Sequence, residues 1–141
     1  MGKLDGKIAI VTGGGTGIGR STALLLAAEG GRVVVTGRRK APLDAVVGEI
    51  AKAGGKAVAR EADVAKPAQG RALAEWVVSE FGHVDILINN AGHSSKVRNA
   101  RWVGQEDWDA VIAVNLTGVY ALTQAVLPSM IERGGGAIVT V

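Results

Sequence analysis

The sequence contains no cysteine, which excludes disulfides, thiolate chemistry and every cysteine-ligated zinc or iron–sulfur centre. Histidine is almost as scarce: His83 and His93 are the two imidazoles, too few for a multi-histidine metal site, and no metal is expected. No run approaches the roughly 18 apolar residues of a membrane span. The run Ile8–Val11 ends in glycines and is far shorter than the core of a secretory signal. Position six is Gly6, not the Ser or Thr of a myristoylation signal. A cytoplasmic protein without membrane contact is therefore expected. Aromatics make up 4% of the chain, and none interleaves the basic stretch Arg38-Arg39-Lys40, which argues against nucleic-acid binding. The net charge of +3 is mild for such a binder.

Hydrophobic residues at 48% and charged residues at 21% fit a packed globule, and 141 residues leave room for one domain on the usual ~100–200 residues each. Glycine is in excess: 21 of 141, about twice the usual ~7%. It shows no collagen period, so the surplus belongs at turns and at close backbone approaches.

Five short apolar runs punctuate the chain: Lys7–Thr12, Arg32–Thr36, Lys56–Arg60, Val84–Asn89 and Ala137–Val141. Four are continuous and rich in Val and Ile, the pattern of parallel strands covered on both faces. The third alternates, which places it at a sheet edge. Helical patterns lie between them. Leu73, Trp76, Val77 and Phe81 form one stripe; Trp108, Val111, Ile112, Leu116, Val119, Leu122, Val126 and Met130 form another over several turns. Such alternation implies right-handed βαβ units in a doubly wound α/β sheet, with strand order 3-2-1-4-5 if the first strand is central. Gly30-Gly31, Gly54-Gly55 and Gly134-Gly135-Gly136 are placed to end helices. No linker or further repeat is evident. Val141 falls at the end of the fifth strand, so this sheet is expected to be incomplete on its C-terminal side.

After the first strand comes Thr12-Gly13-Gly14-Gly15-Thr16-Gly17-Ile18-Gly19-Arg20, then a helix. Glycines at a tight strand-to-helix turn supply positive φ and let backbone approach a phosphate, while the helix N-terminus offers free N–H groups. A merely flexible turn is the plain alternative. The spacing does not satisfy G-x-G-x-x-G. Gly14 through Ser21 nearly matches the G-x-x-x-x-G-K-[ST] loop of nucleotide triphosphatases, but Arg20 replaces the required lysine. No strand ends in an aspartate for magnesium, since Asp85 begins its run.

The loop does match Thr-Gly-(x3)-Gly-x-Gly. Together with Asn89-Asn90-Ala91-Gly92 after the fourth run, Asp63-Val64 after the third, Val84-Asp85-Ile86-Leu87-Ile88, and Asn115 in the long helix, the whole chain resembles the short-chain dehydrogenase/reductase family. The resemblance implies one partial Rossmann-type NAD(P)-binding domain over residues 1–141. It implies cofactor contacts at Gly13, Gly15, Thr16, Gly17, Ile18, Gly19, Asp63, Val64, Asn90 and Gly92. Asn115 matches the family's helical asparagine, which bends the helix and holds a water of the proton relay; of the family's catalytic positions it is the one matched. Family members commonly pair through the helix that carries it, so a homo-oligomer is expected. Asp63 reads equally well as a cap of the helix beginning near Pro67. Asn115 falls on the apolar stripe, so its amide is expected to face the core, where an unpaired group costs roughly 1–3 kcal/mol. Asn89 is expected to tie neighbouring strands together. His83 is given no catalytic role, and Ser94 and Ser95 no assignment.

In dinucleotide folds an acid about 20 residues past the glycine loop holds the ribose 2′-hydroxyl of NAD. Here that position is Gly37, followed by Arg38-Arg39-Lys40. A guanidinium there suits the 2′-phosphate of NADP, so Arg38 is expected to bind it and NADP(H) to be preferred over NAD(H). Arg39 and Lys40 are expected to belong to a solvated helix start.

The family's serine and Tyr-x-x-x-Lys would lie beyond the fifth strand. The one tyrosine, Tyr120, has Gln124 four residues on, not lysine, and reads as packing or interface surface. Two function classes stay open. One is an NADP(H)-dependent oxidoreductase of a small carbonyl or alcohol substrate, present as its cofactor-binding segment and inactive alone; the other is a non-catalytic nucleotide-binding or assembly module. Either would expose a Val/Ile-rich strand edge.

Overall fold

The computed structural model describes residues 2–141. Five parallel strands, β1 (Ile8–Thr12), β2 (Arg32–Gly37), β3 (Lys56–Glu61), β4 (Ile86–Asn89) and β5 (Ala137–Thr140), form one open sheet in the order β3-β2-β1-β4-β5. This is the doubly wound topology that the alternation predicts, and the alternating strand β3 lies at an edge. The crossovers are α1 (Gly17–Ala28), α2 (Lys40–Lys52), α3 (Pro67–Phe81) and a long helix in three parts. Those parts are α4 (Gln105–Ile112), a π-helical stretch Ala113–Thr117, and α5 (Gly118–Glu132). Gly30, Gly54 and Gly134 carry positive φ just past α1, α2 and α5, as their places predict.

Successive strand residues point to opposite faces, and both faces are covered. Ile10 pairs in register with Val34 and Leu87. These three pack against Leu73, Ala74 and Val77 of α3 and Leu122 and Val126 of α5. Their neighbours Val11, Val33, Val35 and Ile88 turn the other way, onto Ala23 and Ala27 of α1 and Leu43, Val46 and Ile50 of α2. Burying a Val, Leu or Ile side chain this fully contributes roughly 1.5–3 kcal/mol. That two-sided demand is why the central strands read as unbroken apolar runs.

Three expectations need amendment. β4 begins at Ile86, not Val84, because the Val84 N–H donates to Ser129 Oγ (3.0 Å) instead of to a neighbouring strand. Asp85 is buried there, and its Oδ2 accepts the Ile8 N–H at 2.8 Å. His83 Nε2 lies 2.8 Å from the same oxygen without hydrogen-bond geometry. Next, the long stripe is buried only in its second half. Leu122, Val126 and Met130 are covered, whereas Trp108 and Leu116 are 57% and 62% exposed. The π stretch adds a residue to the turn and rotates the stripe, and α4 has no buried residue. Finally, Gln105–Glu132 contains an 18-residue window of mean hydropathy 1.7, long and apolar enough by composition to cross a membrane. Here it serves as a layer helix: α5 packs on α3, and its polar groups Thr123 and Ser129 bond Asn89 and Val84. β5 is exposed along its whole length, the open apolar edge expected of it.

Candidate functional site

The carboxyl ends of β1, β2, β3 and β4 surround a cleft of about 180 Å³. Thr12 organises its centre. This side chain is buried, and its Oγ1 accepts the N–H groups of Asn90 and Ala91, both at 2.9 Å, while donating to the Ile88 carbonyl at 3.3 Å. Asn90 answers from β4: its Nδ2 donates to the carbonyls of Thr12 (3.1 Å) and Gly13 (3.2 Å). The glycine loop is thereby sewn to the end of β4. Gly13 has φ +60°, and a Cβ there would lie 2.9 Å from Asn90 Nδ2. Gly19 is buried beneath the loop, where a Cβ would run into the Gly13 carbonyl.

Of the predicted cofactor residues, Gly13, Gly15, Thr16, Arg38, Asp63, Val64 and Gly92 line the cleft. Gly17, Ile18, Gly19 and Asn90 do not. Gly19 and Asn90 act by holding the loop in shape. Gly17 and Ile18 are exposed in the first turn of α1, whose N-cap Thr16 makes no side-chain cap bond. The amides at that helix start therefore have no side-chain acceptor, and the positive end of the helix dipole lies at the cleft.

Across the cleft, Arg38 is exposed and has no ion pair among the described residues. Arg39 is the exposed N-cap of α2, the solvated helix start expected of it, and also lines the cleft beside Arg38. The first turn of α2 contains no acid. Cations at a helix N-terminus oppose its dipole, so this corner carries uncompensated positive charge. A further lining residue was invisible in the sequence. Thr36 Oγ1 is fully buried and has no hydrogen-bond partner.

Asp63 lines the cleft but is not the cap of α3. Its Oδ1 accepts the Ala65 N–H (3.0 Å), forming the turn that leads to α3. Gln69, which the sequence reading overlooked, holds the Asp63 N–H through Oε1 at 2.8 Å. The cap position itself is Lys66, with Pro67 following. Next to Asp63, the Val64 carbonyl packs on α5 so closely that a Cβ at Gly118 would lie 2.5 Å from it.

Asn115 corrects an expectation. It sits in the π stretch and is exposed, not turned into the core. Its amide is still fully used: Oδ1 accepts the His93 N–H and Nδ2 donates to the His93 carbonyl, both at 2.8 Å. Asn115 thus clamps the loop that continues from Gly92. Asn89 is likewise reassigned, since its Nδ2 bonds Thr123 of α5 at 3.2 Å rather than an adjacent strand. Tyr120 is exposed, and its Oη accepts from Gln124. Arg20 does not reach the cleft, because its guanidinium is held by Glu49 of α2; the loop therefore has no cation in the place of a triphosphatase lysine.

Comparison with known proteins agrees with this geometry. The sequence profile of the short chain dehydrogenases matches residues 7–141. Cyclohexanol dehydrogenase of Acinetobacter sp. (strain SE19) is 42% identical over 137 residues, covering 97% of this chain and 55% of that enzyme. Among solved structures, a metagenomic short-chain oxidoreductase in complex with NADP superposes with a TM-score of 0.94 at 39% identity, covering 97% of this chain and 62% of the other. A 7α-hydroxysteroid dehydrogenase complexed with NADH and 7-oxo glycochenodeoxycholic acid gives 0.91 at 38% identity, covering 98% and 53%. The chain spans about half the length of the curated relatives it matches.

Proposed function

Because the chain belongs to the short-chain dehydrogenase family, we propose that it is the dinucleotide-binding part of an oxidoreductase that prefers NADP(H) and acts on a small alcohol or carbonyl compound. One observation carries the preference for NADP(H). Arg38, just past β2, has no ion pair among the described residues, and Arg39 and Lys40 stand beside it at a helix start that holds no acid. A 2′-phosphate neutralises that corner; a bare 2′-hydroxyl does not, and the end of β2 itself holds Gly37 where a carboxylate would receive it. Similar structures are solved with NADP and with NADH, so support for the preference comes from these residues and not from the fold.

The rest of the cleft fits the same ligand. The uncapped start of α1 takes the pyrophosphate on its amide groups. Asp63, Val64 and the orphan hydroxyl of Thr36 line the cleft, and the adenine is proposed to lie against Asp63 and Val64. Asn90 and Thr12 keep the loop rigid, and Asn115 fixes the Gly92–His93 segment on the nicotinamide side. The cofactor, when bound, supplies or accepts the hydride; this chain binds and orients it. Tyr120 followed by Gln124 does not form a Tyr-x-x-x-Lys proton donor, so the 141-residue chain alone is proposed to show no hydride-transfer turnover. A homo-oligomer in the cytoplasm completes the reading.

The exposed Val/Ile edge of β5 favours a second reading, a nucleotide-binding module that works by assembly. Calorimetric titration of the purified chain with NADP and NAD tests the main proposal. Tighter binding of NADP is expected, and absence of binding by either nucleotide would end it. Turnover with NADPH and a panel of carbonyl compounds would refute the inactivity of the isolated chain.

A further inference from the structure

We infer that Arg20 and Glu49 are a positioning pair that sets the distance between the two phosphate-binding arms of the cleft, the glycine loop at the start of α1 and Arg38–Arg39 at the start of α2. The inference rests on the dinucleotide reading above. Arg20 lies in the first turn of α1 and Glu49 near the end of α2. The Arg20 Nε donates to Glu49 Oε1 at 3.0 Å, and Nη2 pairs with Oε2. A two-pronged bond of this kind fixes orientation as well as separation. Its hydrogen bonds and, after them, the Glu49 charge raise the Arg20 pKa above its ordinary value.

α1 and α2 also share a core, where Ala23 and Ala27 lie in one buried cluster with Leu43, Val46 and Ile50. The buried residues of α1 are Gly19, Ala23 and Ala27, small side chains that let the helix lie close but give it no register. The other fixed point is at the cleft mouth, where Gly15 faces Pro42: a Cβ at Gly15 would lie 2.9 Å from Pro42 Cβ. Gly15 and Pro42 each line the cleft, and the charged pair does not. α2 is seated on the sheet by Leu43, Val46 and Ile50, and its two contacts with α1, one at the mouth and one lower down, set its tilt on that seat. Release of the lower contact lets α2 tilt on the seat and shifts Arg38 and Arg39 relative to the glycine loop. A ligand that spans both arms feels this movement; a ligand on one arm does not.

Both side chains are about two-fifths exposed, so the pair adds little to global stability and its removal leaves the fold intact. The test uses Arg20→Gln and Glu49→Gln in the full 141-residue chain, titrated with NADP, which spans the arms, and with 2′-AMP, which reaches Arg38 alone. Each substitution is expected to weaken NADP about three- to tenfold while leaving 2′-AMP within about twofold. The melting temperature is expected to stay within about 3 °C. The exchanged pair Arg20→Glu with Glu49→Arg is expected to recover most of the NADP affinity. Unchanged NADP affinity in both variants overturns the inference, as does an equal loss of both ligands with or without a fall in melting temperature. If the unsubstituted chain does not bind NADP, the dinucleotide reading itself is overturned, and this inference with it.

Discussion

Thr12→Val removes one oxygen atom from the centre of the site and leaves its volume unchanged. Thr12 is 2% exposed, so no solvent replaces the lost partner. The Asn90 N–H retains the Ile88 carbonyl at 3.1 Å. The Ala91 N–H loses its hydroxyl acceptor. The cost is one net hydrogen bond, about 1 kcal/mol, and a stranded donor at roughly 1–3 kcal/mol, giving about 2–4 kcal/mol of lost stability. Urea unfolding reads it directly: the midpoint is expected to fall by at least about 1 M at the usual slope for a chain of this size. Thr12→Ser keeps the oxygen and is expected to lose less than half as much. A Val variant within about 0.5 kcal/mol of the parent would refute the reasoning. So would a Ser variant as damaged as Val, because the loss would then belong to the methyl group.

Arg38→Asp removes charge-assisted bonds worth about 2 kcal/mol to a 2′-phosphate, so NADP affinity is expected to drop roughly 30-fold while NAD changes far less; calorimetry of both ligands decides, and an unchanged ratio would count against the assignment. Gly19→Ala places a methyl against the Gly13 carbonyl and 2.5 Å from Asn90 Nδ2, an overpacking expected to cost about 1–3 kcal/mol in urea unfolding and to disrupt nucleotide binding. Asn115→Ala frees both main-chain groups of His93 at an exposed position. Hydrogen exchange at the His93 amide is expected to accelerate at least about tenfold with under about 1 kcal/mol lost in global stability, and unaltered exchange there would show that the clamp is not functional.

The strands were legible because a sheet covered on both faces demands continuous Val and Ile, and Lys56–Glu61 was recognisable as an edge from its alternation. The glycine loop was legible because few residues other than glycine tolerate Gly13's φ or Gly19's contacts. Asn115 departs from the pattern for a physical reason. A 3.6-residue period through the long helix turns it inward, and the π stretch at 113–117 breaks that period at this residue. The role of Asn90 depends on which carbonyls lie opposite it after folding, which spacing along a chain does not encode. Thr36 looked like any strand threonine; its orphan hydroxyl appears only when every potential partner is in place. Arg39 is legible as a solvated helix start, but its place beside the cleft depends on the cleft's width, which the sequence does not encode.

The four hydrogen bonds that fasten Thr12 and Gly13 to Asn90 and Ala91 join residues 77 to 79 positions apart. Synthesis proceeds from the amino end, so the most recognisable stretch of the polypeptide leaves the ribosome early yet stays unfinished until the chain through Ala91 has emerged and docked. A nascent chain stopped after β3 would display every glycine of the fingerprint and hold no nucleotide.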